Sequence, residues 1–348
     1  MNLFNRVPDN RASDRPKLPG VIDTLGSGYR ILNRHLYLLL LPILLDLFYW
    51  LGPRLSIDPV ARRALQFVDD LAATSTTAAA GSQTAQSWDM VRSVLDAMGK
   101  SFNMFSLLST PLSIPTLLSS QDLQTPAWVG GMPAFTAAQP GQAFWLAILL
   151  LVVGVVLGSI YMGLVVQVVR DGLLHLGPLA RQAPLNAGRY IGLMLLLLVI
   201  LFFVGVPLAL FVGLMGLLVP LLGSVLVVVV WAVLLWLYLG LFFTVSALFF
   251  SGVGPLRAMF YSITVVRLST SSAMGIFVVI VLISLGIPYV WSAIGSSDLA
   301  TLVGIVGNGY IGTGLTVAAT VFYRDRIAAV TANQKPLVNS QPSVPSQQ

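Results

Sequence analysis

The sequence predicts an all-α integral membrane protein, a bundle of about six transmembrane helices with an amphipathic helical segment on the outer side. Two features of the composition and pattern support this prediction. Hydrophobic residues make up 56% of the 348-residue chain and charged residues only 9%, which is far below the roughly 25% charge of soluble domains. Most of the length also consists of apolar runs that reach the roughly 20 residues a helix needs to cross a bilayer.

The two ends of the chain are expected to be disordered and cytoplasmic, an arm over residues 1–25 and a tail over 333–348. The arm begins MNLFNRVPDNRASDRPKLPG, which is rich in charge and proline and has no apolar stretch around which to fold. The first apolar run starts near Ile31, too far along the chain for a secretory signal, and no small-residue cleavage site follows it. We therefore expect it to remain as the first span, at 31–52.

The membrane domain is expected to cover residues 26–332 and to contain five further spans. The apolar stretch from Tyr190 to Phe250 is interrupted by one set of turn residues, GLMGLLVPLLGS. Its length of about 60 residues suits two spans joined at that turn. The five predicted spans are 143–169, 190–213, 224–250, 272–294 and 300–323.

The distribution of Lys and Arg predicts the orientation, because basic loops are retained on the cytoplasmic side during insertion. Of the 19 basic residues, 14 lie in the arm and the start of the first helix, in the 170–189 loop, around 257–267 and near the C-terminus. The other five lie in the segment 53–142. We therefore expect a multi-pass protein of a bacterial inner (plasma) membrane, with both termini cytoplasmic.

The outer segment 53–142 contains two patterns typical of amphipathic helices. Its first part places Val60, Ala64, Phe67, Val68 and Leu71 on one helical stripe. Its second part repeats apolar residues at spacings of three and four, at Trp88, Val91, Leu95, Met98, Phe102 and Phe105. The two helices are expected either to lie as a hairpin over the outer ends of the spans or to form a cap that captures a ligand. Residues 107–133 are expected to be an irregular or interfacial connector.

The stretch GNGYIGTG raises the question of a nucleotide site, because its glycines have the G-x-G-x-x-G spacing of a dinucleotide-binding turn. That turn requires a strand before it and a helix after it, whereas here apolar helix flanks both sides. Helix packing is the preferred interpretation, since small residues let membrane helices approach closely. On this basis Gly307 is expected to tolerate alanine but not leucine. The residues assigned to packing are Gly154, Gly158, Gly304, Gly307 and Gly314.

Polar residues within spans are candidates for function because they are expensive to bury in a bilayer. Asp46 is the clearest acid within a predicted span, and Gln167 and Asn308 are weaker candidates. Asp46 is expected either to accept hydrogen bonds from a neighbouring helix or the outer cap, or to couple protons or cations to transport. Gln167 and Asn308 are expected to make hydrogen bonds between helices.

The residue inventory argues against catalysis and against a metal or cofactor site. The chain has no cysteine and only two histidines, at positions 35 and 175, both expected at or beyond the cytoplasmic boundary. General acid–base and metal chemistry need several convergent polar groups. We therefore expect no enzyme activity, no catalytic or metal residues, no cofactor, and neither nucleotide nor nucleic acid as a partner.

Residues 255–277, PLRAMFYSITVVRLSTSSAMGIF, are expected to form a short amphipathic helix that leads into the fifth span. Pro255, Ala258, Ser262 and Arg267 match a pattern found before a span in poorly characterised bacterial membrane proteins similar to the membrane domain of glycerophosphodiester phosphodiesterases. The resemblance covers the last 100 or so residues of the chain. It implies a six-span helical domain and carries no activity, because no phosphodiesterase domain accompanies it.

The function expected from these features is that of a non-catalytic membrane scaffold that binds lipid or a membrane-protein partner. Arg257 and Arg267 are expected to contact anionic lipids from the surface helix, with Met259, Phe260 and Ile263 facing inward. The alternative is a small-solute or ion transporter with a path near Asp46. Convergence of Asp46, Gln167 and Asn308 on a water-accessible cavity would favour transport, and a dry bundle would favour the scaffold.

Overall fold

Two long helices, α5 (Pro140–Asp171) and α12 (Asp298–Gln334), lie at the centre of a helical bundle. The computed structural model describes residues 18–75, 82–112, 114–118, 134–295 and 297–334. The buried Tyr161 of α5 donates its hydroxyl to Thr313 of α12 at 3.2 Å. Within the described residues the strands are two segments of three residues each, so the all-α prediction is confirmed.

The bundle has two ends, which we name by what lies there. Near the start of α5, strand β1 (Arg54–Ser56) pairs in parallel with β2 (Ala134–Thr136), beside helices α3 (Asp58–Ser75) and α4 (Ser82–Ser101); we call this the insertion end. At the other end, Arg326 of α12 donates to the carbonyl of Pro19, just before helix α1 (Val21–Arg34). We call this the terminal end.

Within the described part of the chain, five helical segments are long and apolar enough to cross a membrane, or six if one bent pair of helices counts as a span. All five predicted later spans are present, and each is longer than expected. The segments are Pro140–Asp171, Leu176–Leu218, Pro220–Ser251, Thr270–Ile294 and Asp298–Thr331. Their apolar surfaces identify a membrane-embedded protein.

Residues 176–251 fold as a long helical hairpin that turns at Val219. Its first arm joins α6 (Leu176–Ile200) to α7 (Val206–Leu218) through a π-helical turn, Leu201–Gly205. Pro207 follows that turn, and a proline within a helix commonly requires such a local adjustment because it lacks an N–H. The most apolar 18-residue window of this arm has no buried side chain. A helix that is apolar on every face and unburied by protein is suited to lipid.

The second arm of the hairpin consists of α8 (Pro220–Leu241) and α9 (Thr244–Ser251), and it breaks between them. Helix α10 (Pro255–Leu268) satisfies backbone groups at this break. The Ser262 hydroxyl donates to the Gly240 carbonyl at 2.7 Å and accepts the Phe243 N–H at 3.1 Å. Phe260 was expected to face inward, and this prediction is wrong, because its side chain is 66% exposed. The buried residues of α10 include Ala258 and Ser262. Helix α11 (Thr270–Ile294) follows.

The first predicted span, 31–52, is not one straight helix. Helix α1 and the segment from Leu36 to Leu51, which ends in α2 (Leu40–Leu51), meet at a bend of 93°. Helix α1 buries Gly28 and Leu32 against α12 and exposes Arg30 and Arg34 on its opposite face, so it is amphipathic rather than apolar on all sides. It also begins within the stretch 1–25 that was expected to be disordered. Residues 1–17 and 335–348 lie outside the described residues.

The two helices expected in the outer segment are present as α3 and α4, which pack against each other. Arg92 of α4 joins them, donating to Asp69 of α3 at 2.7 Å and to Asp89 at 3.0 Å. These hydrogen bonds, the one to Asp69 foremost, raise the pKa of the Arg92 guanidinium. The predicted apolar stripe of α3 is only partly buried, since Phe67 is 65% exposed.

Candidate functional site

A short 3₁₀ helix followed by irregular backbone enters the bundle from the insertion end, and we call residues 104–112 and 114–118 the re-entrant segment. It begins with a 3₁₀ helix, Met104–Leu108, where the Asn103 side-chain oxygen accepts the N–H groups of Phe105 and Leu55. Most of its apolar side chains are buried within the protein, including Leu112, Ile114 and Leu117. Of the two alternatives predicted for 107–133, an irregular or an interfacial connector, the described first part is irregular and is buried in the bundle rather than interfacial. Residues 119–133 lie outside the described residues.

The re-entrant segment reaches deep into the bundle before it returns. Leu112 contacts α5 at Gly158, which lies 18 residues after Pro140. At 1.5 Å per residue this is about 27 Å along the helix. At the same level the Tyr190 hydroxyl of α6 donates to the Pro111 carbonyl. The segment then returns along α12, with Pro115 against Gly312 and Leu117 against Gly304.

Glycines on the two central helices make room for the re-entrant segment. A methyl group added to Gly154 would lie 2.7 Å from the carbonyl oxygens of Leu107 and Leu108, closer than van der Waals contact allows. Gly158 and Gly304 face the same segment. The packing role predicted for these three glycines is found, but the element they receive is an irregular segment rather than another helix.

The remaining packing glycines lie against aromatic side chains. Gly307 faces the ring of Trp291 in α11, and Gly314 faces the ring of Tyr29 in α1. A methyl group at Gly307 would meet the outer edge of that indole, which would have to shift, so the tolerance of alanine there stays a prediction. The G-x-G-x-x-G sequence lies within the continuous helix α12, where its other two glycines face Ile43 and Pro115.

Asp46 of α2 forms hydrogen bonds with the end of the re-entrant segment. Its carboxylate is fully buried in α2, and its two oxygens accept the backbone N–H groups of Leu117 and Leu118, each at 2.9 Å. Non-helical backbone at membrane depth must find hydrogen-bond partners within the protein, because lipid offers none. Asp46 supplies two of them on the part of the segment that returns to the insertion end. These contacts fit the first of the two alternatives predicted for Asp46, a carboxylate that accepts hydrogen bonds from a neighbouring part of the protein.

The three intramembrane polar candidates do not converge. Asn308 lies on α12 one turn from both Gly304 and Gly312, so it shares the face that contacts the re-entrant segment. Gln167 lies at the terminal end of α5, where its amide donates to the His175 carbonyl at 3.1 Å. Asp46 and Asn308 thus both belong to the surroundings of the re-entrant segment, while Gln167 closes the α5–α6 turn.

An apolar groove of about 420 Å³ lies beside the re-entrant segment at the insertion end. Ligand pockets typically have volumes of roughly 300–1,000 Å³. Leu149 and Phe135 form part of its wall and are more than half exposed, so the groove opens onto the outer surface of α5. None of the three polar candidates lines it. The lining residues are Leu55, Phe105, Phe135, Thr136, Ala137, Gln142, Leu146, Leu149 and Leu150.

Comparison with known proteins adds no relative, because the chain matches no protein-family model, no curated protein and no solved structure. The resemblance of residues 255–267 to the membrane domain of glycerophosphodiester phosphodiesterases therefore stays a prediction. Within the described residues, no group of three or more His, Cys, Asp or Glu side chains is placed to hold a metal ion.

Sequence reasoning missed the re-entrant segment and the groove next to it. The segment STPLSIPTLLSS is too polar for a span, and its prolines and serines are typical of exposed loops. The available signal lay elsewhere, in Asp46. A buried carboxylate requires donors, and the neighbouring apolar helices offer few. The small residues at 154, 158, 304 and 312 also indicated room for a bulky neighbour.

Proposed function

We propose that this is a non-catalytic multi-pass membrane protein that binds lipid, taking an acyl chain into the groove beside the re-entrant segment. The observation that carries the proposal is the groove itself, an apolar recess that opens onto a lipid-suited surface. Its lining is apolar apart from Thr136 and Gln142. An acyl chain is the ligand whose chemistry suits such a wall.

The position of the groove supports the same ligand. The first turns of α5 expose Phe144 by 59%, Trp145 by 68% and Leu149 by 57%. Large apolar side chains exposed on a membrane helix face the hydrocarbon, and Trp is enriched at the membrane–water boundary. A lipid tail beside α5 therefore has a direct route to Phe105 and Leu146 within the groove.

The cellular setting belongs to the same proposal. We place the protein in a bacterial inner (plasma) membrane with the terminal end cytoplasmic and the insertion end outside. The charge distribution supports this orientation, because the insertion-end segment 53–142 holds only five basic residues. The groove would then take up lipid from the outer leaflet, and α3 and α4 would cover it or receive a membrane-protein partner.

Photocrosslinking tests the lipid proposal. The full-length protein would be reconstituted with a phospholipid that carries a diazirine on one acyl chain, irradiated, and mapped by peptide mass spectrometry. We expect crosslinks concentrated on Phe105 and Leu146, which line the groove. Leu146→Trp should fill the groove and remove most of them.

Val153→Trp is the matched control, since Val153 lies on the same helix, is 39% exposed and does not line the groove. It should leave the crosslinks at Phe105 unchanged. Crosslinks spread evenly over the exposed side chains of α5–α8, with no concentration in the groove, would contradict the proposal.

Transport is the second candidate function, and the re-entrant segment is the observation that favours it. Irregular backbone at membrane depth occurs where it is buried in protein or lines a water-filled path. A path near Asp46 would require Leu117 and Leu118 to leave its carboxylate. Proteoliposomes containing a pH-sensitive dye, given a proton or Na⁺ gradient, test this candidate. Flux that Asp46→Asn abolishes would support transport, and leak equal to that of protein-free vesicles would exclude it for these ions.

A further inference from the structure

The terminal end of the bundle contains a buried arginine whose hydrogen-bonding capacity is only partly used. Arg326 of α12 is 3% exposed, and its guanidinium lies 3.8 Å above the centre of the Phe322 ring. One nitrogen, Nη2, donates to the Pro19 carbonyl at 2.8 Å. The other two, Nε and Nη1, are buried and have no hydrogen-bond partner among the described residues.

No described carboxylate bonds to this guanidinium. The neighbouring Asp325 accepts hydrogen bonds from Arg324, whose Nη1 also donates to the Val169 carbonyl. Asp23, at the start of α1, is exposed and accepts the Gly20 N–H. A buried charge with unused donors is costly unless an anion and its acceptors complete it.

The same place contains a second feature that attracts anions, the N-terminus of α1. Helix α1 runs for 14 residues from Val21, and its first intrahelical bond is made by Thr24 to Gly20. The preceding N–H groups, of residues 21–23, therefore have no partner within the helix. Together with the helix dipole they favour a negative group at this end. Pro19, which Arg326 contacts, lies directly before the N-cap residue Gly20.

We propose that Arg326 and the N-terminus of α1 form a phosphate-binding site, either for the headgroup of a phospholipid or for free phosphate. The Nε and Nη1 donors of one guanidinium match two phosphate oxygens. The guanidinium is buried and Pro19 contacts it, so an anion would reach it only if the non-helical, partly exposed residues 18–20 moved. Leu18 and Ile22 flank the site with 45% and 84% exposure, so an attached lipid would have apolar side chains for its tails.

This inference goes beyond the acyl-chain groove, which lies at the opposite end of the bundle. Failure of the groove experiment would leave the phosphate site untouched, and the reverse also holds. The two ligand sources are distinguished by the probes. The full chain, stripped of lipid in a phosphate-free maltoside detergent, would be titrated with inorganic phosphate, with phosphatidylglycerol and with diacylglycerol, and its melting temperature recorded.

Stabilisation by phosphatidylglycerol but not by diacylglycerol or inorganic phosphate would identify a lipid headgroup site. Stabilisation by inorganic phosphate as well would identify a site for phosphate in general. Arg326→Gln should lower the affinity for whichever ligand stabilises the native protein by about tenfold or more, as expected when charge-assisted hydrogen bonds are removed. Arg181 is an exposed arginine of α6, and Arg181→Gln is the control. This variant should bind the ligand with the affinity of the native protein.

If Arg326→Gln does not fold, Arg326→Lys keeps the charge but loses the two-pronged donor, and it should also bind more weakly. The measurement on the native protein decides the matter in any case. A melting temperature that neither inorganic phosphate nor phosphatidylglycerol raises would overturn the proposal, as would equal stabilisation of native protein and Arg326→Lys.

Discussion

The carboxylate of Asp46 accepts the backbone N–H of Leu117 at 2.9 Å, joining α2 to a segment 71 residues further along the chain. Both residues are buried, and the bond forms on the part of the re-entrant segment that returns to the insertion end. A carboxylate accepting backbone N–H groups makes charge-assisted hydrogen bonds, roughly twice as strong as neutral ones. Asp46 thereby stabilises the segment that forms one wall of the groove.

Asp46→Ala should lower the melting temperature markedly, because it removes the carboxylate that accepts the buried N–H groups of Leu117 and Leu118. Each buried N–H that loses its acceptor lowers the free energy of unfolding by about 1–3 kcal/mol. Asp46→Asn should lower the melting temperature less, since its amide oxygen still accepts one of the two hydrogen bonds. Thermal unfolding of the purified protein in detergent, followed by circular dichroism, measures both effects.

Asp89→Asn provides the control, because Asp89 is an exposed partner of Arg92 on α4. Surface ion pairs contribute only about 0–1 kcal/mol, so its melting temperature should stay close to native. Equal melting temperatures for Asp46→Ala and Asp89→Asn would show that the bonds to 117 and 118 do not hold the re-entrant segment.

The later spans could be predicted from the sequence because length and hydropathy alone identify a helix that crosses lipid. The re-entrant segment could not, since Pro111, Leu112 and Pro115 pack by contacts with α6, α5 and α12 that are distant in sequence. Asp46 was correctly singled out, but its two donors are backbone groups, which any residue supplies. The bend at His35 was missed because the predicted span began at residue 31, within the last turn of α1, and the amphipathic part of α1 before it was not recognised as a helix.

Gly154→Ala should destabilise the protein, because the added methyl group would lie 2.7 Å from two carbonyl oxygens of the re-entrant segment. The matched control is Gly188→Ala in α6, where nothing lies within 4 Å of the added group. That change should be neutral or stabilising by up to about 1 kcal/mol, the difference in helix propensity. Melting temperatures that fall equally in both variants would mean that Gly154 does not make room for the segment.

Single-cysteine labelling should establish the orientation, and the chain is suited to it because it has no native cysteine. Arg62→Cys lies on α3 at the insertion end, where the native side chain is 70% exposed, and Arg181→Cys lies on the exposed first part of α6. In intact cells an impermeant maleimide should label position 62, and position 181 should react only after permeabilisation. The reverse pattern would overturn the orientation drawn from the basic residues.

Replacing both Arg257 and Arg267 with glutamine should reduce the anionic lipid that co-purifies with the protein. Both arginines are exposed on α10, ten residues apart and so about 80° offset around the helix, which lets both reach headgroups. Each basic residue near a charged bilayer surface contributes about 1 kcal/mol. Native mass spectrometry of the variant compares the bound anionic lipid with that of the native protein.

The double variant Arg62→Gln, Arg63→Gln is the control for this loss of charge, because both arginines are exposed on α3 at the other end of the bundle. It should keep the native lipid profile, since the anionic headgroups of the proposed cytoplasmic leaflet lie beyond its reach. Topology should be unchanged in the α10 variant, as the remaining basic residues of the terminal end still outnumber those of segment 53–142. If the correctly inserted α10 variant retained the native amount of anionic lipid, its two arginines would have no role in lipid binding and would serve the orientation signal alone.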